Sequence, residues 1–215
     1  MGIKEFFTGL WRGISNVLRD SDLMQKLLPM LGVAIPPPWD LVVVVAVEAI
    51  SAALGTEEKP DELGWQMNQA DKKPEDFGSF KEYKEYLDKN YPFDEERYAY
   101  LTDEEKTMCR YIGLAGTMKE LKESKGFELT PESLGILVKG VASLKWDDAQ
   151  IGAFAKGMTT SLLGSGIASL GDIESLAKGT LDPDREAAIS GAIGTGAKAA
   201  GVKQDAQIIV ASLQE

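Results

Sequence analysis

The residues able to do chemistry are few and one-sided. The chain of 215 residues has no histidine and a formal net charge of −11. Without histidine it lacks the commonest general base, proton shuttle and zinc ligand. The single cysteine, Cys109, sits among Met108, Arg110 and Tyr111 in a helical pattern. It has no partner for an internal disulfide, and a nucleophilic role would call for the missing histidine, so a buried structural thiol is expected. Carboxylates are the most abundant polar groups, in the clusters Glu57-Glu58, Asp94-Glu95-Glu96 and Asp103-Glu104-Glu105. First-turn charge on helices and solvated faces account for these runs. All six tyrosines lie between Tyr83 and Tyr111, a concentration of amphipathic rings that suits either an interface or a local core.

Two short stretches look like ligand loops and do not qualify. Asp182-Pro183-Asp184-Arg185-Glu186 has the acidic spacing of a calcium loop, but Ala187 occupies the sixth position, where glycine is required. Helix capping by Asp182 is the reading. Gly191-Ala192-Ile193-Gly194-Thr195-Gly196 is glycine-rich like a phosphate loop, yet it lacks the Gly-Lys-Ser/Thr ending and follows no strand pattern. No cofactor or metal is expected. The acidic balance also argues against a nucleic-acid face, which needs clustered Lys and Arg.

The elements behind these residues read as helices throughout. Ile3, Phe6, Phe7, Leu10, Trp11, Ile14, Val17 and Leu18 recur at helical spacing, opposite Lys4, Glu5, Thr8, Arg12, Ser15, Asn16 and Arg19. Their periodicity, with no small-residue cleavage site after an apolar block, argues against a signal peptide. A short apolar helix over Leu23–Leu31 and the stiff connector Pro36-Pro37-Pro38 follow. The run Leu41–Leu54 is rich in valine, but Asp40 before it, the stretch Glu48-Ala49-Ile50-Ser51-Ala52-Ala53 and Gly55 after it favour a buried helix over a strand. At 14 residues it is short of the roughly 20 that a transmembrane span needs.

Residues 57–78 are expected to form a polar loop with one helical piece near Leu63–Met67. Beyond them, Ser79 with Glu82 and Thr102 with Glu105 are capping boxes, and Thr130-Pro131, Asp147 with Gln150, Asp172 and Asp182-Pro183 open further helices. The expected inner faces are Phe80, Tyr83, Tyr86 and Leu87; Met108, Tyr111, Ile112, Ala115, Met118 and Leu121; Leu134, Leu137, Val138, Val141 and Leu144; and Ile151, Phe154, Ala155, Met158 and Leu162. The fold class is therefore all-α, an irregular multi-helix bundle. An apolar N-terminal helical arm and buried helix (1–56) would precede the loop (57–78) and a helical body (79–215).

In the helix beginning at Pro183, Ala187, Gly191 and Thr195 place small residues at every fourth position. Such a stripe admits close approach of another helix, from the same bundle or from another subunit. Gly191→Leu is accordingly expected to overpack the crossing.

An amphipathic start, Gly/Ala-rich helices, no histidine and no catalytic signature give a texture similar to virion-associated proteins of tailed bacteriophages, including internal ejection proteins and minor structural components. That resemblance implies a non-enzymatic structural protein of a multi-subunit assembly, located in the virion, with protein subunits as partners in a homo-oligomer or hetero-assembly. The expected contact residues are Phe6, Phe7, Leu10, Trp11, Ile14, Leu18, Trp39, Gly191 and Thr195. The alternative is a peripheral membrane protein whose residues 1–20 lie in the lipid interface. Lys4, Arg12 and Arg19 are offset by Glu5 and Asp20, so the basic polar face such helices use is weak.

Overall fold

The computed structural model describes residues 39–57, 59–202 and 206–213. Among these are ten α-helices, one 3-10 turn and no strand, the all-α fold class expected. They fall into two compact units, each treated by itself below: residues 59–125, and residues 39–57 together with 126–202 and 206–213. Among the described residues the first unit is thus inserted after the first helix of the second. Phe6, Phe7, Leu10, Trp11, Ile14 and Leu18 lie outside the described residues. Trp39 opens helix α1 (Trp39–Ala53).

In the inserted unit the helical piece expected near Leu63–Met67 is present and longer than expected, and the polar loop around it is shortened accordingly. Helix α2 (Pro60–Gln69) starts with Pro60 in its first turn, where its missing N–H costs nothing, and with Asp61 and Glu62 at the positive end of the helix dipole. It buries Leu63, Gly64, Trp65, Gln66 and Met67. A 3-10 turn (Pro74–Asp76) leads to α3 (Phe80–Asn90), where the Ser79 hydroxyl accepts from the Glu82 N–H at 3.2 Å. Phe80, Tyr83 and Leu87 are buried as expected, while Tyr86 stays half-exposed. The short α4 (Glu95–Ala99) buries none of its residues.

Helix α5 (Asp103–Lys125) is the centre of this unit. Thr102 and Glu105 form the reciprocal capping box at 2.8 and 3.3 Å. Every residue from Tyr111 to Met118 is buried, so the helix is enclosed on all sides there; Met108 is only half-buried. Helices α2 and α5 cross backbone to backbone. A Cβ placed on Gly64 would fall 1.7 Å from the Cys109 carbonyl oxygen, and one on Gly113 would fall 1.7 Å from that of Pro60. Gly64 reads as a helix breaker in sequence because the reason for its presence is a helix some fifty residues further on.

In the second unit α1 buries Val42, Val43, Val44, Ala46, Val47 and Ile50. Its helical form, despite the valines, follows from packing: two sides of α1 meet apolar neighbours, which overrides a modest β propensity. Gly55, at φ +74°, ends it in the left-handed region that glycine adopts without cost. The remaining helices are α6 (Pro131–Ser143), α7 (Asp148–Gly164), α8 (Asp172–Ala177), α9 (Pro183–Ala199) and α10 (Ala206–Leu213). Helix α7 lies at the middle, packed against α1 and α9. It begins at the Asp147–Gln150 capping box and buries Ile151, Phe154, Ala155, Met158 and Leu162, the expected face, plus Thr159. A single parallel bridge joins the loops before α6 and α8. The Glu128 N–H donates to the Ala168 carbonyl at 2.9 Å, and the Leu170 N–H donates to the Glu128 carbonyl at 3.0 Å.

Candidate functional site

The polar side chains of the inserted unit gather into two clusters, each a carboxylate bound by tyrosine. The first turn of α2 supplies Asp61, α4 supplies Tyr98, and α5 supplies Arg110. The Tyr98 hydroxyl donates to Asp61 Oδ2 at 2.7 Å, and Arg110 Nε lies 3.5 Å from the same oxygen. Rings complete the group. Phe93 meets Trp65 edge-on with centroids 5.7 Å apart, and Phe93 and Tyr98 lie 5.4 Å apart. Lys106 Nζ donates to the Ala99 carbonyl at 3.1 Å and lies 5.9 Å from the centre of the Tyr98 ring.

The second cluster joins the loop after α2 to α3. Asp71 Oδ1 accepts from the Tyr86 hydroxyl and, at 2.9 Å, from that of Tyr91. Lys72 Nζ lies 5.1 Å from the centre of the Tyr86 ring and 5.9 Å from that of Phe77, a cation held over two aromatic faces.

The direction of the titrations says what these clusters can do. The Tyr86 and Tyr91 hydroxyls hold the Asp71 carboxyl below its ordinary value of 3.8. Tyr86 is pushed up, chiefly by its bond to Asp71, and Tyr98 is pushed up by burial and then by its bond to Asp61. A general base needs a carboxyl raised toward neutrality, and a reactive phenol needs a lowered pKa. Both shifts run the other way. Cys109 behaves alike: fully buried, its thiol is pushed up to about 12 by desolvation and then by the charges of Asp61 and Glu105. At neutral pH it is a thiol, the packing role expected. The clusters pin helices and loops; the tyrosine concentration thus divides, with Tyr83 and Tyr111 in the core, Tyr86, Tyr91 and Tyr98 half-buried at its edge, and Tyr100 91% exposed.

A carboxyl with a depressed folded pKa stabilises above its unfolded value, and that contribution is lost as pH falls through the folded pKa. Tyr86→Phe with Tyr91→Phe should therefore return Asp71 toward 3.8. The measurement is a carboxyl NMR titration, and an unmoved midpoint would show that the hydroxyls do not set it.

The other sequence candidates fall as follows. Asp182 caps α9 by accepting the Arg185 N–H at 3.0 Å, and Arg185 pairs with Asp172, so that acidic run serves helix ends. No group of three or more potential metal ligands occurs among the described residues. Gly191–Gly196 lies within α9, helical and without the open loop a phosphate needs. Gly191 and Thr195 are exposed, and a Cβ on Gly191 would meet nothing within 4 Å, so the expected close crossing on that face of the bundle is corrected. The crossing uses the next face of α9. A Cβ on Gly196 would lie 2.6 Å from the Phe154 carbonyl oxygen, and one on Gly157 of α7 would lie 2.8 Å from the Ala199 Cβ.

An apolar cavity of about 20 Å³ lies among Val42, Ala46, Ile50, Leu137, Phe154 and Met158. That is room for little more than one water, and its walls offer a water no hydrogen bond, so it is a packing void rather than a ligand site. No helix among the described residues is long and apolar enough to cross a membrane. Compared with protein-family models, curated proteins and solved structures, the chain matches none.

Proposed function

We propose that this protein is a non-enzymatic interaction component of a multi-subunit assembly, and that its setting is a bacteriophage virion, as a minor structural or internal protein. The observation that carries this reading is the amphipathic sequence pattern from Ile3 to Leu18, in which eight large apolar residues recur at the spacing of one helical face. Such a face requires a partner surface, and burial of a single aromatic contributes roughly 1.5–3 kcal/mol, enough to decide a marginal association. The tyrosine and cysteine pKa directions add support, because they oppose acid–base and nucleophilic use of those groups.

Replacing Phe7 and Trp11 together by Asp in the full chain should abolish self-association while leaving the helical content intact. Sedimentation equilibrium reads this directly: the natural chain should exceed its monomer mass of 23.3 kDa and the variant should not. A natural chain that runs as a monomer, or a variant that loses helicity and thermal stability equally, overturns the reading. Salt-sensitive co-sedimentation of the intact protein with anionic vesicles would instead assign the face to lipid.

A further inference from the structure

Residues Pro92–Leu101, between α3 and α5, contain no buried residue, although both flanking helices are anchored deep in the unit. Backbone hydrogen bonds of this segment close within it: Tyr98 N–H to Asp94, Tyr100 N–H to Arg97 and Leu101 N–H to Tyr98, at 2.9–3.2 Å. Asp94 also caps its short helix, accepting the Arg97 N–H at 3.0 Å. What joins the segment to the rest of the unit is made of side chains. The Tyr98 hydroxyl is on Asp61, Phe93 is on the Trp65 ring, and Lys106 is on the Ala99 carbonyl. The neighbouring helices close their own ends without it. The Tyr91 N–H donates to Leu87 at 2.7 Å to finish α3, and the Thr102–Glu105 box starts α5. A piece that is bonded internally, at most half-buried and flanked by self-capped helices can detach without unwinding either neighbour.

We infer that Pro92–Leu101 is a strap that opens as one piece, latched by Tyr98 on Asp61. Its opening uncovers the Asp61–Arg110 pair and the edge of Trp65 while α2, α3 and α5 stay packed. The latch is a hydrogen bond to an acidic side chain that also faces Arg110, and its loss shifts the open population by about tenfold or more. This gate does not depend on the assembly reading.

Native-state trypsin digestion of the full chain tests it, with initial rates of cleavage after Arg97 and after Lys119 followed by mass. Arg97 lies in the strap, whereas Lys119 lies in α5 and is cut only when the unit unfolds. When closing is faster than cleavage, each rate reports the population of the open form. In the natural chain the Arg97 bond should be cut faster, with a shallower dependence on urea, since opening exposes less surface than unfolding. Tyr98→Phe should raise that rate about tenfold or more. Leu121→Val, about 16 Å along α5 from Arg110, should speed cleavage after Lys119 and leave the Arg97 rate unchanged. Equal urea dependence at the two bonds overturns the strap, and an unaltered Arg97 rate in Tyr98→Phe overturns the latch.

Discussion

Gly113→Ala should lower the stability of the inserted unit by about 3 kcal/mol or more, at the top of the range for overpacking. In an isolated helix the same change would help by about 1 kcal/mol, so the sign alone separates the two environments. The cost comes from what the new methyl meets. It would sit 1.7 Å from the Pro60 carbonyl oxygen and 2.9 Å from the Gly64 N. Both atoms are backbone, and no rotamer change relieves them. Helices α2 and α5 would have to move apart, which thins the contacts of Leu63, Met67 and Phe80 around Gly116 as well. Gly64→Ala should behave alike, since its methyl would meet the Cys109 carbonyl from the opposite side. A unit of this size has only a small margin over its unfolded state. Urea unfolding followed by near-ultraviolet circular dichroism should show the loss. A neutral result at both positions would mean that the two backbones do not touch.

Much of the fold is written in local signals. The capping boxes at Thr102–Glu105 and Asp147–Gln150 mark their helices because the residues that satisfy the first N–H groups are neighbours in sequence. The inner face of α7 is legible for a similar reason: large apolar residues recur at helical spacing and nothing else on the helix competes with them. Helix α2 is only partly visible. A helical piece near Leu63–Met67 can be read, but polar composition and Gly64 argue against its full length, and the compensation, a bare stretch of α5 around Gly113 and Gly116, is remote. The Tyr98–Asp61 and Tyr86–Asp71 bonds were legible only as a concentration of tyrosine, since their partners lie 37 and 15 residues away. Nothing in sequence pairs a particular phenol with a particular carboxylate.

Helix α9 shows the limit most clearly, and it supplies the second large effect. Small residues occupy almost every side of it, so a stripe at positions 187, 191 and 195 is as good a pattern as any other. The large residues decide the matter: Ile189 and Ile193, with Ala192, Gly196 and Ala197, are the buried set. Gly196→Ala should therefore cost about 1–3 kcal/mol, because its methyl would press on the Phe154 carbonyl and ring across the crossing with α7. Gly157→Ala should also cost stability, since its methyl would lie 2.8 Å from the Ala199 Cβ, which moves only with its backbone. Gly191→Leu should leave folding unharmed, or raise stability by up to about 1 kcal/mol through helix propensity, because open space surrounds it. Thermal and urea unfolding of the three variants rank the faces of α9 directly. Should Gly191→Leu prove the most damaging, the helix is rotated from the orientation described. The same variant also separates folding from assembly: a chain that folds normally but loses mass in sedimentation would place a second subunit on the exposed face of Gly191 and Thr195.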